Sequence, residues 1–119
     1  MSLTVLVVED HVESADGLVE LLRLWGHRAH AAYDGESAVE VRGALRPDVV
    51  LVDIGLPGMD GNALACRLRE DDAGLLLIAL TGYGDATAVD PEFYDRLEKP
   101  VPLDVLQALL ADRAHRGDD

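Results

Sequence analysis

"DVVLVDIGLPGMDG", Asp48 to Gly61, decides how this chain folds. Its first six residues, "DVVLVD" (48–53), form an apolar run closed at both ends by an acid. A strand with one wet face alternates apolar with polar residues. A strand without that alternation is buried on both faces, as in a parallel sheet covered by helices. After Asp53, the residues Pro57, Gly58 and Gly61 force a tight loop before the next helix. That loop brings backbone groups, including the carbonyl of Gly55, around the acid.

Working outward, the same alternation repeats. "TVLVVED" (4–10) is apolar, β-branched and ends in two acids. "HVESADGLVELLRLWG" (11–26) spaces Val12, Ala15, Val19, Leu22 and Trp25 as a helix does, with Gly26 as its stop. "HRAHAA" (27–32) reads as a short strand. "GESAVEVRGALRP" (35–47) sets Ala38, Val41 and Leu45 on one helical face and ends at Pro47. Beyond the loop, "NALACRLRE" (62–70) is a helix with Leu64 and Leu68 inward, and "LLLIALT" (75–81) is a third buried strand. "DRLE" (95–98) alternates charges around Leu97, as an edge strand does. "PLDVLQALLADRAHRG" (102–117) closes the chain as a helix with Leu103, Leu106 and Leu110 on one stripe. Strands alternating with helices predict an α/β, doubly wound, five-stranded parallel sheet with helices on both faces. The 119 residues make one domain, with a folded core over 3–113 and a frayed tail over 114–119.

Composition narrows the function classes. Formal net charge is −13, from 23 acids against 10 bases, so a phosphate backbone is repelled and no direct nucleic-acid binding is expected. Cys66 is the only cysteine, which excludes an internal disulfide and a cysteine zinc site. "LLLIAL" (75–80) is the longest aliphatic run and is too short to span a bilayer. With no signal peptide visible at the start, a cytoplasmic location without membrane contact is expected. "MSL" at the front fits either a complete chain or a piece excised from a longer one.

Ligands of doubly wound sheets sit beyond the carboxyl ends of the strands. Four of the five ends here carry a polar set: Glu9-Asp10, Asp53, Thr81 and Lys99. Three carboxylates brought close together repel one another unless a cation joins them. Oxygen ligands suit a hard divalent ion, and Mg²⁺ is held by a few carboxylates while keeping open positions. A carboxylate can attack a phosphoryl group and form an aspartyl phosphate. The incoming oxygens then need a metal, an ammonium and a hydroxyl to stabilise their charge. Lys99 is the only lysine among ten basic residues. Its compact charge on a thin stem suits that task better than the broad guanidinium fork. Pro100 keeps Lys99 out of helical geometry, so its side chain can lean back toward Asp53. Gly82, directly after Thr81, leaves room for a phosphoryl donor.

Taken together, "VVEDH" with Glu9 and Asp10, "VDIGLPGMDG" with Asp53, "ALTGYG" with Thr81 and "EKP" with Lys99 resemble the receiver domain of two-component response regulators over nearly the whole chain. The likeness is greatest to receivers attached to, or working beside, hybrid sensor kinases. It implies a flavodoxin-like strand order of 2-1-3-4-5. It implies that Asp53 accepts a phosphoryl group from phosphohistidine on a histidine kinase or histidine phosphotransfer protein. Asp10, Asp53 and the Gly55 carbonyl would ligate Mg²⁺, with Glu9 acting through water. Lys99 would pair with the phosphoryl oxygens, and Thr81 would move toward them and pass the signal to a downstream protein target, a fused output domain or a homodimer partner. On this reading the domain is a switch that phosphorylates and dephosphorylates itself, and not an enzyme.

Two features depart from that pattern. Arg96 stands where the family usually has an aromatic residue that swings with the threonine. Lys99 follows Thr81 by eighteen residues, about one helical turn fewer than usual, with Pro91 inside the segment. The helix between the fourth and fifth strands is therefore expected to be shortened or lost. Two other functions compete: a Mg²⁺-dependent phosphohydrolase that works through an aspartyl phosphate, and a degenerate receiver that only docks. The first strand lacks the D-x-D of the former, and the complete set of acids, threonine and lysine argues against the latter. His11, His27, His30 and His115 read as surface or strand-edge residues, Cys66 as a small packing residue and Trp25 as structural.

Overall fold

The computed structural model of the chain describes residues 2–56, 58, 60–70, 74–82, 91 and 93–117. Its strands are β1 (Thr4–Val8), β2 (Arg28–Ala32), β3 (Val49–Asp53), β4 (Leu76–Thr81) and β5 (Asp95–Glu98). All are parallel, in the order β2-β1-β3-β4-β5. The described helices are α1 (Val12–Leu24), α2 (Gly35–Leu45), α3 (Gly61–Arg69) and α4 (Leu103–Gly117). Element boundaries fall within one or two residues of the sequence reading, the usual scatter at frayed ends. The expected shortening of a helix between β4 and β5 concerns residues 83–90 and 92, which lie outside the described residues.

Side chains alternate across the sheet and sort into two cores. Val5, Val7, Leu51, Ile78, Leu80 and Leu97 face α1 and α4. Leu6, Val8, Val50, Val52, Leu77 and Ala79 face α2 and α3. Every residue of β3 is buried, which is why "DVVLVD" carries no polar alternation. β2 and β5 are the edges, and β5 points Arg96 and Glu98 outward around buried Leu97. These charges discourage pairing with another sheet.

Register positions the strand ends. Val8 lies beside Val52, so Glu9 and Asp53 leave the sheet side by side. Asp53 pairs with Leu80, and Thr81 pairs with Glu98, so Lys99 follows directly. Thr4 N donates to Asp48 Oδ2 at 2.8 Å, pinning the start of β1 to that of β3. Asp34 caps α2 by accepting from Ser37 N at 2.7 Å, and Asp60 caps α3 by accepting from Asn62 N at 3.0 Å.

The structure corrects several readings of burial. Val12 is 49% exposed, because α1 begins there and its buried stripe is Ala15, Val19 and Leu22. Leu103 is likewise half exposed at the start of α4, while Leu106 and Leu110 are buried. On α2, Ala38 is buried but Val41 and Leu45 are only partly covered. Cys66 is exposed on α3, since Leu64, Ala65 and Leu68 fill the inward face. The core does not end at residue 113. The stripe continues one turn to buried Ala114, and α4 runs on to Gly117.

Gly61 opens α3 against the loop that carries Asp53. A Cβ there would lie 2.4 Å from Ile54 Cα, so backbone would have to shift. Gly61→Ala is expected to lower stability by about 1–3 kcal/mol in urea unfolding. A change within about 0.5 kcal/mol, the range of ordinary surface substitutions, would contradict this contact.

Candidate functional site

Four strand ends converge as the register dictates. Asp53 is buried, with only 8% of its surface exposed, yet both its oxygens are engaged. Oδ1 accepts from Gly55 N at 2.9 Å and Oδ2 accepts from Lys99 Nζ at 3.2 Å. The Gly55 contact is a side chain bonding to the backbone two residues on, which aspartate does readily in turns. Lys99 Nζ also donates to Glu9 Oε1, so one ammonium bridges two buried acids. The Lys99–Pro100 peptide is cis, and Lys99 N donates to Thr81 O at 2.7 Å.

Carboxylate oxygens of Glu9, Asp10 and Asp53 all lie within 4.8 Å of one another. Glu9 and Asp53 are buried, while Asp10 is exposed. Three acids against one lysine leave an excess of negative charge. All the donors are oxygen, one opens to solvent, and the repulsion between them is what a divalent cation relieves. The residues fit a hard ion such as Mg²⁺.

Titration reflects the same crowding. Burial, and then the hydrogen bond to Asp53, raises the Glu9 pKa from 4.5 to about 7 against the opposing pull of Lys99. For Asp53, burial works to raise the pKa, but hydrogen bonds from Glu9, Gly55 and Lys99 outweigh it and hold the group below its usual value. Burial works to lower the Lys99 pKa, but Glu9 and Asp53 raise it above its usual value. A proton shared within the pair therefore favours Glu9 over Asp53.

Thr81 is fully buried, and its Oγ1 has no hydrogen-bond partner among the described residues. A Cβ at Gly82 would meet nothing within 4 Å, so the space after Thr81 is open. A Cβ at Gly55 would sit 3.4 Å from Asp53 Oδ1, so glycine leaves that oxygen uncovered. Every site residue read from the sequence thus lies at this end of the sheet. Arg96, at the usual aromatic position, is exposed on β5. His11 is exposed but does more than face solvent: its Nδ1 caps α1 by accepting from Ser14 N at 3.2 Å. Its place directly before the helical periodicity was the available signal, but histidine is not among the usual capping residues.

Among known families, residues 5–111 match the response regulator receiver domain. The chain belongs to that family. The receiver is 34% identical over 119 residues to the DNA-binding response regulator MtrA of Mycolicibacterium paratuberculosis, covering 97% of this chain and 52% of MtrA. It is 34% identical over 116 residues to the sensor histidine kinase RcsC of Salmonella typhimurium, covering 94% of this chain and 12% of RcsC. NtrX from Brucella abortus superposes with a TM-score of 0.86 at 28% identity, over 99% of this chain and 29% of that one. The receiver therefore spans about half the length of MtrA and a small part of RcsC. The expectation of no nucleic-acid binding is not supported, because the relatives include a DNA-binding regulator. That expectation came from net charge, which describes only the surface of this stretch. No helix among the described residues is long and apolar enough to cross a membrane. Receiver domains are signalling switches that work with histidine kinases and output domains.

A raised carboxyl pKa means the folded receiver holds a proton that the unfolded chain releases. Metal-free stability should therefore fall as pH rises from about 4.5 to about 7 through Glu9, by on the order of 2 kcal/mol. The lowered pKa of His27, due first to burial, acts in the opposite sense. Comparing urea unfolding of the wild type with Glu9→Gln isolates the Glu9 contribution. Parallel pH profiles for the two proteins would contradict the assignment.

Proposed function

We propose that this receiver takes a phosphoryl group onto Asp53 from phosphohistidine on a histidine kinase or histidine phosphotransfer protein, and changes conformation in response. The observation that carries this reading is the state of Asp53. It is buried and ionised, Lys99 holds one oxygen, a backbone amide holds the other, and two further acids stand within ligand distance. Glu9, Asp10, Asp53 and the Gly55 carbonyl would hold Mg²⁺. When bound, the ion supplies neutralising charge to the acid cluster and to phosphoryl oxygens.

An Asp53 oxygen attacks phosphorus. The O–P bond forms as the P–N bond breaks, and the imidazole leaves with the electron pair. Lys99, already on Asp53 Oδ2, follows the transferred group and pairs with its new oxygens. Gly55 and Gly82 keep the approach clear. Thr81 supplies the response. Its buried hydroxyl has no hydrogen-bond partner among the described residues, a cost of about 1–3 kcal/mol. A phosphoryl oxygen offers that partner, so phosphorylation favours the conformation in which the two meet. The response passes to a downstream target, a fused output domain or a second copy.

Intact mass after incubation with Mg²⁺ and acetyl phosphate tests the acceptor. One phosphoryl adduct is expected on the wild type and none on Asp53→Asn. An adduct that survives in Asp53→Asn would refute the acceptor, and continuous phosphoester turnover would replace the switch with a phosphohydrolase. Thr81→Val should still accept phosphate and should be as stable as wild type or up to about 1–2 kcal/mol more so. Its amide NMR spectrum should not shift on phosphorylation as the wild type's does. A full spectral response in Thr81→Val would remove Thr81 from the switch.

A further inference from the structure

The two edges of the sheet are defended differently. β5 carries exposed charges on both sides of Leu97. β2, "RAHAA" (28–32), has no formal charge after Arg28, and Ala29, Ala31 and Ala32 are too small to fend off a second strand. An edge of that kind is a template for pairing with another chain.

Backbone directions along β2 follow from its hydrogen bonds. Arg28 N donates to Leu3 O at 2.8 Å, and Ala32 O accepts from Glu9 N at 3.0 Å, so residues 28 and 32 turn their backbone groups toward β1. A parallel ladder repeats every two residues, so Ala29 and Ala31 turn theirs outward, where no strand among the described residues pairs with them. The outward carbonyl of Ala29 is nevertheless occupied. Arg23, in the last turn of α1, folds down onto it: Nε donates to Ala29 O at 3.2 Å and a terminal guanidinium nitrogen donates at 2.8 Å. Ala29 is buried beneath it. Two charge-assisted donors on one backbone oxygen fix the guanidinium in place. An incoming strand has to displace it and leave it without that acceptor.

The edge is also self-complementary. With two copies antiparallel about a two-fold axis at His30, Ala29 of each copy faces Ala31 of the other. The amides and carbonyls that β1 leaves unused then exchange hydrogen bonds.

We propose that Arg23 guards the outer edge of β2 against pairing with β2 of a second copy. Neither a metal nor a phosphoryl group enters this contact, so it stands apart from the proposed function.

Sedimentation equilibrium of the 119-residue chain, without metal or phosphodonor, tests the guard. Arg23→Ala should self-associate at least about tenfold more tightly than the wild type, with its circular dichroism spectrum unchanged. Arg23→Gln, a good helix former without the guanidinium fork, should do the same. Amide exchange at Ala31 should slow as the concentration of either variant rises. Adding Ala31→Pro removes an outward amide that the sheet itself does not use, and should return Arg23→Ala to wild-type association. Wild-type association in either folded Arg23 variant would overturn the proposal. So would tighter association that survives Ala31→Pro or leaves Ala31 exchange unchanged, since another surface would then be responsible.

Discussion

One lysine holds together the end of the sheet where three acids meet. Glu9 and Asp53 emerge side by side because Val8 and Val52 are in register. Both are buried, and neither can stay ionised there without a cation or a donor. Lys99 reaches them from the last strand, past β4, which separates β5 from β3. β4 ends in Thr81 and is followed by Gly82, where even an added Cβ would meet nothing within 4 Å, so there is room for it to cross. The acids that would hold a metal and the proposed acceptor share this contact.

The rest of the fold makes that convergence obligatory. A parallel sheet sends all its carboxyl ends to one edge, and the crossovers place the helix starts there too. Caps by His11, Asp34 and Asp60 fix where α1, α2 and α3 begin. Gly61 lets α3 start hard against Ile54, one residue beyond Asp53. Asp53 thus ends β3 and is followed by Ile54, which packs against the start of α3. Burial raises the Glu9 pKa, while hydrogen bonds from Glu9, Gly55 and Lys99 hold Asp53 below its usual carboxylate range.

Most of this was legible in the residue order. β3 could be read because burial on both faces erases alternation. The site could be read because unusual residues stood at the ends of such strands. Helix faces were read less well at their starts. Val12 and Leu103 fit the spacing but lie in the first turn, where the helix has not yet come down onto the sheet. Cys66 was misread because α3 buries a narrow stripe that Leu64, Ala65 and Leu68 already fill. No sequence pattern could show that Lys99 binds Glu9 as well as Asp53, since that contact joins residues 90 positions apart. That Thr81 Oγ1 finds no hydrogen-bond partner among the described residues was equally invisible, because satisfaction of a buried group depends on its neighbours in space.

The account stands on Lys99 as a compact cation and not merely a positive charge. The direct measurement is the rate of acetyl phosphate-dependent phosphorylation of Asp53 in Lys99→Arg, followed by intact mass at saturating Mg²⁺. The predicted result is a rate at least about tenfold below wild type, with the charge retained but the fork unable to occupy the same slot. An Lys99→Arg protein that phosphorylates at the wild-type rate would contradict the account, and would show that any cation at the end of β5 is enough.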